Sequence, residues 1–418
     1  MITRARYLRQ MLRNETRDRE RLRAAQFAAL ERLVRHAGTH VPFYRDLYRS
    51  HGIDVAKFNA QRDVLTLPFT SKHQLRHAGS RAQWLRGNRT GVKISTSGST
   101  GEPFVFMIDH DYDQWRKAQY LRPYLRAGRR FGHKVLRLMA FPRSHRSLLS
   151  RVGLLREWQF NCATPAFELH SQWCKLAPDV LQGYPSALRS LAQFCLERGR
   201  PLDPAPRLVF SDSELLMPDT RALLEKAFGT VVVDIFGTYE TDNIAWQCAR
   251  NDGYHVATDC VLLEIIRDGR PAEAGEQGEM VVTVLSNWTT PFIRYNLHDL
   301  GQFATQPCPC GSPFPVLTGL VGRADDLIEL DDGSSRTPMD VLGRLDRYTD
   351  LVHHYQLRQL STRQFELLIV PARPLGDADA ANLVAAVQAS LPSVTVDLKL
   401  VDSIAPQKSG KRLAFVRV

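Results

Sequence analysis

Apolar residues at Leu22, Phe27, Leu30, Leu33 and Val34 recur mostly every three to five positions, the spacing of an amphipathic helix over about residues 18–38. Gly38 is expected to end that helix, and the stretch after Val41-Pro42-Phe43-Tyr44 to form a second short helix running toward His51. From about Gly91 to Gly322 the pattern changes. Short apolar runs, Leu208-Val209-Phe210, Val231 to Phe236 and Met280 to Leu285, alternate with helical stretches such as Pro218 to Phe228, which predicts an α/β arrangement. Beyond Asp325 the order is a strand at Phe365 to Val370, a helix from about Ala378 to Leu391 and a strand at Val394 to Leu400, a small α+β module. The expected division is a large domain of residues 1–324, helical over about 1–60, and a small domain of 325–418. The stretch Gly322 to Asp326 precedes an Asp331-Asp332-Gly333 turn, where a hinge is physically plausible.

Composition narrows the class. At 418 residues the chain exceeds what one core usually supports, and 44% hydrophobic with 24% charged residues is ordinary for a globular protein. No apolar run approaches the ~20 residues of a membrane span, and the N-terminus is charged rather than apolar, so a cytoplasmic location is expected. A net charge of +11 favours anionic partners. Many arginines between 17 and 35 and between 122 and 156 are interleaved with apolar residues at helical spacing, so solvated helix faces account for most of that charge. No helix-turn-helix, zinc-finger or RNA-recognition signature accompanies it, and no nucleic-acid partner is expected. Seven cysteines, an odd number in a chain read as cytosolic, argue against a disulfide framework.

Ser95-Thr96-Ser97-Gly98-Ser99-Thr100-Gly101 packs hydroxyls and glycines into a loop whose backbone N–H groups suit phosphate oxygens. It lacks the Gly-Lys-Ser/Thr ending of a Walker A loop and runs instead through Glu102-Pro103 into Phe104-Val105-Phe106, so a hairpin turn is expected. The same composition also suits an exposed linker. Separately, Cys308-Pro309-Cys310-Gly311 with Cys248 and His255 supplies three thiolates and an imidazole, a tetrahedral zinc set. Buried apolar cysteines are the alternative, Cys260 is a spare ligand, and Cys162, Cys174 and Cys195 are read as packing residues.

Four more stretches follow the loop in order: Phe236-Gly237-Thr238-Tyr239-Glu240, Arg294-Tyr295-Asn296-Leu297-His298-Asp299, Gly322-Arg323-Ala324-Asp325-Asp326, and Ser409-Gly410-Lys411. The ordered set resembles the adenylate-forming acyl- and aryl-acid ligases over nearly the whole chain. Gln182-Gly183-Tyr184-Pro185-Ser186, His40 to Arg45 and Pro291 to Tyr295 look specifically like the phenylacetate-CoA ligase branch and its capsule-cluster relatives. Some relatives in that branch carry a structural zinc.

The resemblance implies roles. Thr96, Ser97, Gly98, Ser99, Thr100 and Gly101 would hold the pyrophosphate part of ATP, and Glu240 would ligate Mg²⁺. Asp299 would accept from the ribose hydroxyls, and Arg323 would contact ribose or phosphate. Ser213 and Glu214 would lie on the adenine side, with Phe236, Gly237, Thr238 and Tyr239 also at the nucleotide. Asp325 would be the hinge, and Lys411 would reach the carboxylate and α-phosphate during adenylation, with Lys408 the competing lysine. Phe141, Tyr184, Ser211, Phe236 and Gly237 would line the acyl pocket. The plainer readings are a surface carboxylate for Glu240, an ordinary ion pair for Asp299 and Arg323, a loop cap for Asp325 and exposed lysines for Lys411 and Lys408. Three positions depart from the family pattern: Glu102 stands for the usual lysine, Tyr239 for threonine and His298 for glycine.

The implied reaction is ATP-dependent activation of an aromatic or small hydrophobic carboxylic acid, then acyl transfer to coenzyme A, with Mg²⁺ and a structural Zn²⁺. Transfer to a carrier-protein thiol, an amine or a sugar, and a non-catalytic nucleotide-binding relative, are the alternatives, and a homodimer is left open.

Overall fold

The computed structural model describes residues 2–85, 91–96, 104–142, 154, 156–250, 253–407 and 410–418. The predicted phosphate-loop residues Ser97, Gly98, Ser99, Thr100 and Gly101, together with Glu102, Lys408 and Ser409, lie outside that set. Two compact units make up the chain, residues 1–127 with 235–320, and residues 128–234 with 321–418.

In the first unit, Asp18 caps the helix Arg19–His40 by accepting the Glu20 amide, and Leu22, Leu30, Leu33 and Val34 are buried along its length. Gly38 does not end this helix. It sits inside the last turns where a Cβ would lie 2.6 Å from a Val55 methyl, so it serves close packing, and the helix runs to His40 before Pro42 starts Pro42–Ser50. Val92–Ser95 and Val105–Ile108 pair antiparallel, the two arms of the predicted hairpin. The strands Val261–Arg267, Gly278–Val284 and Tyr295–Phe303 are successive antiparallel neighbours. Tyr254–Val256 pairs with Asp242–Gln247 through Trp246↔His255, and with the start of Val316–Arg323 through His255↔Val316.

The second unit holds four parallel strands in the order Glu157–Asn161, Val135–Met139, Val180–Gly183, Leu208–Asp212. Val180–Gly183 is buried throughout, as expected of a parallel strand covered on both faces. The helices Ala166–Leu176, Pro185–Glu197 and Pro218–Phe228 contribute Trp173, Leu188, Leu191 and Leu224 to its core.

The same unit contains a four-stranded sheet in the order Thr395–Leu400, Gln364–Pro371, Val352–Gln359, Phe415–Arg417. Leu383 and Val387 of the helix Asp377–Gln388 share a core with Leu357, Phe365 and Leu367 of that sheet. The class is therefore α/β, mixed in strand direction, with a smaller C-terminal sheet. No helix among the described residues is long and apolar enough to cross a membrane.

Candidate active site and metal site

The strand Val232–Thr238 turns back into Asp242–Gln247 through a tight hairpin that carries Glu240. Gly237 is required there, because a Cβ would overlap the Asp242 carbonyl. Thr238 Oγ1 accepts the amides of Glu240 and Thr241, both at 3.2 Å. Asp242 takes a left-handed backbone with φ +56°, and its carboxylate is held by Arg116 Nε and Nη2, each 2.9 Å from Oδ1. Burial raises the Asp242 carboxyl above its ordinary range, and the Arg116 guanidinium opposes that rise. The result is a fixed turn with a buried carboxylate: Glu240 is only 8% exposed, whereas Tyr239 is exposed.

Glu240 Oε1 is 3.5 Å from Lys72 Nζ and accepts from the Tyr295 hydroxyl at 3.5 Å. Lys72 reaches it because Thr70, two residues earlier, is laced to 293–296. Thr70 N–H donates to Arg294 O at 2.9 Å, Thr70 O accepts from Asn296 N–H at 2.9 Å, and Thr70 Oγ1 donates to Ile293 O at 2.8 Å. Sequence reasoning missed Lys72. A signal was present: Ser71 and Gln74 form a capping box with Lys72 at the first helical position, where a cation opposes the helix dipole unless a carboxylate elsewhere compensates.

Other predicted residues belong to the same unit. Thr96 is buried, and its Oγ1 accepts the Phe104 amide at 3.1 Å, closing the hairpin arms. Phe236 and Thr238 are half-buried on the strand leading to Glu240. His298 adopts φ +59°, the conformation a glycine would take without cost, and its amide donates to Asn296 Oδ1 at 2.8 Å. Asp299 follows it, half-buried on Tyr295–Phe303.

In the second unit, Tyr184 and Ser211 are buried, and Ser211 Oγ donates to Asp234. Phe141 is 59% exposed, so within this unit it does not share the buried setting of Tyr184 and Ser211. Ser213, exposed with φ +74°, turns the chain so that Glu214 accepts from Ser186 N–H at 2.9 Å and Ser186 Oγ at 3.1 Å. The amide after Lys411, that of Arg412, donates to Glu214 Oε1 at 3.1 Å. Arg323 pairs with Asp325 at 3.5 Å, and Asp325 lies exposed in the short 3₁₀ turn Ala324–Asp326.

The cysteine and histidine set converges. The ligand atoms of Cys248, His255, Cys308 and Cys310 all lie within 4.8 Å of one another. Cys248 Sγ is 3.7 Å from Cys308 Sγ, and Cys310 Sγ is 3.3 Å from His255 Nε2. Two thiolates about 2.3 Å from a tetrahedral zinc stand about 3.8 Å apart, so the donor set fits that ion. Cys260 is not part of it and packs beside Arg122, 3.7 Å away. Cys162 and Cys195 are buried as expected, but Cys174 is exposed, since its helix turns Leu169 and Trp173 to the core instead.

No protein-family model matches the chain. Among characterised proteins it is similar to the phenylacetate-coenzyme A ligase of Thermus thermophilus, 25% identical over 391 residues that cover 86% of this chain and 84% of the relative. The Escherichia coli phenylacetate-coenzyme A ligase is 26% identical over 82% of this chain and 80% of its own length. These matches point one way. The chain is similar to the phenylacetate-CoA ligase branch of the adenylate-forming superfamily. The CapK protein of Staphylococcus aureus, 22% identical over 69% of this chain and 64% of CapK, is a further relative.

Of solved structures, a 2-hydroxyisobutyryl-CoA ligase in its postadenylation state, in complex with R3-HIB-AMP, matches with a TM-score of 0.81 at 21% identity, covering 97% of this chain and 91% of that one. An anthranilate CoA ligase in complex with anthranoyl-AMP matches with a TM-score of 0.58 at 14% identity, over 77% of this chain and 65% of that one. At these identities the likeness is one of fold.

Proposed function

We propose that this chain is an AMP-forming acid–CoA ligase: it joins a carboxylic acid to the α-phosphate of ATP, releasing pyrophosphate, and then passes the acyl group to the thiol of coenzyme A, releasing AMP. The observation that carries the reading is the buried Glu240 carboxylate, held on a fixed hairpin with the Lys72 ammonium as its counter-charge. A dry carboxylate paired with one accessible cation is suited to exchanging that cation for a magnesium–nucleotide complex. The phenylacetate-coenzyme A ligases among its relatives support the same reaction, and Lys411 keeps the lysine that it requires.

In this reading Glu240 holds Mg²⁺, which neutralises charge on the phosphates. Thr96 to Gly101 hold phosphate oxygens, Asp299 and Arg323 meet the ribose, and Ser213, Phe236, Gly237, Thr238 and Tyr239 meet the nucleotide. Residues 325–418 form the small domain, with Asp325 as its hinge. The acid is aromatic or small and hydrophobic, and Tyr184, Ser211, Phe236 and Gly237 are the pocket residues to test first. Cys248, His255, Cys308 and Cys310 hold a zinc whose role is structural, since four protein ligands leave no open position.

The test is acid-dependent exchange of pyrophosphate into ATP over a panel of aromatic, aliphatic and amino acids, with and without coenzyme A, for wild type and Lys411→Ala. One responsive acid names the substrate, and stimulation of AMP release by coenzyme A names the acceptor. Equal rates for the two proteins would remove Lys411 from the chemistry, and silence over the panel with ATP binding intact would remove the ligase reading.

A further inference from the structure

We infer that Glu214 is a positioning residue: its carboxylate is the receptor on which the Gly410–Arg412 segment docks, fixing where Lys411 points. The inference rests on the ligase reading for the role of Lys411, and on geometry within the second unit for the docking itself.

Glu214 follows Ser213, whose left-handed backbone directs the chain from the end of the strand Leu208–Asp212 toward the start of the helix Pro185–Glu197. Tyr184, the capping residue of that helix, offers no side-chain cap, and Glu214 takes over by accepting from the Ser186 amide and hydroxyl. Those two bonds account for a cap. The third does not, because Oε1 also accepts the Arg412 amide at 3.1 Å, from a segment about 200 residues later that owes nothing to helix capping. With both oxygens engaged by protein donors, this carboxylate is poorly disposed to accept from adenine.

Three further contacts hold the same short segment. Cys162 Sγ lies 3.3 Å from Gly410 O. Gly410 N–H donates to Gln407 O, and Gln407 N–H to Lys411 O, both at 2.8 Å. Gly410 itself has φ +77°, and a Cβ would come within 2.6 Å of the Ala140 Cβ and 2.7 Å of Cys162 Sγ. The seat is therefore shaped for a glycine on one side and anchored to a carboxylate on the other, with Lys411 between the two anchors. Burial raises the Glu214 carboxyl above its ordinary range, and the bonds from Ser186 and Arg412 and the charge of Lys411 oppose that rise. A mobile lysine acts on a transition state only when its ammonium is held in place, and a misplacement of about 1 Å costs roughly 100-fold in rate.

The experiment uses the full chain as wild type, Glu214→Ala and Gly410→Ala, with two measurements. The first is amide hydrogen exchange of the peptide covering residues 404–415, which needs no substrate. Faster exchange at Arg412 and its neighbours in both variants is expected, with the 185–197 helix still protected in Gly410→Ala; unchanged exchange in Glu214→Ala would overturn the docking. The second separates the half-reactions. Pyrophosphate exchange should fall roughly 100-fold in kcat with KM for ATP held within about two-fold, while coenzyme A thiolysis of a chemically supplied acyl-adenylate stays near wild type. A parallel fall in both half-reactions with a lower thermal midpoint would reduce Glu214 to a helix cap, and a rise in KM for ATP alone would return it to the nucleotide site. If wild type exchanges pyrophosphate with no acid, the ligase reading fails and the hydrogen-exchange result still decides the docking.

Discussion

The ammonium of Lys72 lies 3.5 Å from Oε1 of Glu240, at a carboxylate that is 8% exposed. A buried carboxylate without a cation is costly, and the Lys72 ammonium offsets that cost at Glu240. Glu240→Gln should lower acid-dependent pyrophosphate exchange by roughly 100-fold or more, without rescue by added Mg²⁺. Lys72→Met should tighten half-saturation by Mg²⁺ several-fold at fixed ATP, because the competing cation is gone. Weaker Mg²⁺ dependence in Lys72→Met would mean instead that the ammonium acts alongside the metal.

The hairpin that presents Glu240 depends on Gly237 and Asp242. Since a Cβ at 237 overlaps the Asp242 carbonyl, Gly237→Ala must open the turn, and exchange activity should fall roughly 100-fold from displacement of Glu240 alone. Arg116→Met acts on the same turn from the other side. It leaves the Asp242 carboxylate buried without its guanidinium, which costs about 3–5 kcal/mol for a broken buried pair. Measured by thermal unfolding and pyrophosphate exchange, wild-type behaviour in either variant would mean that the hairpin does not fix Glu240.

What the sequence made legible was set by how local each feature is. The helix beginning near Asp18, the strand at Val232–Thr238 and the helix at Asp377–Gln388 follow from periodicity and flanking residues, and the structure has them. Gly38 was misread because its partner, Val55, lies beyond the next helix, and nothing within one turn distinguishes a packing glycine from a terminating one. Lys72 was missed for the same reason: it reaches Glu240 only through the bonds of Thr70 to residues 293–296. The Cys248, His255, Cys308 and Cys310 set was readable because ligand chemistry identifies its members without register. Their convergence, however, needed the pairings Trp246↔His255 and His255↔Val316.

That set leads to a metal prediction. The protein should carry one zinc per chain by elemental analysis, and Cys308→Ser should lose it. Closing four ligands from residues 248 to 310 around one ion ties the 308–310 turn to the strand Tyr254–Val256 and to the end of Asp242–Gln247, so loss of the metal should lower the thermal midpoint by roughly 2–4 °C for each kcal/mol forfeited. Pyrophosphate exchange per folded molecule should stay near wild type, since a closed site has no position for substrate. Zinc-free protein of unchanged thermal midpoint would refute the structural role.

His354 gives the second unit a pH dependence. Burial chiefly, and then the charges of Arg412, Arg189 and His353, push its imidazole from the ordinary 6.5 to about 3. The folded chain therefore keeps it neutral, with Nε2 3.2 Å from Ser190 Oγ, while the unfolded chain takes up a proton as the pH drops through 6.5. Its contribution to stability is present in full above pH 6.5 and is lost progressively as the pH falls from 6.5 toward 3, amounting to about 2 kcal/mol at pH 5 relative to pH 8. His354→Gln keeps a hydrogen-bonding partner for Ser190 and removes the titrating group. Thermal midpoints of the two proteins measured from pH 8 to pH 5 should diverge, wild type falling faster, and parallel curves would mean that His354 is not held neutral by the fold.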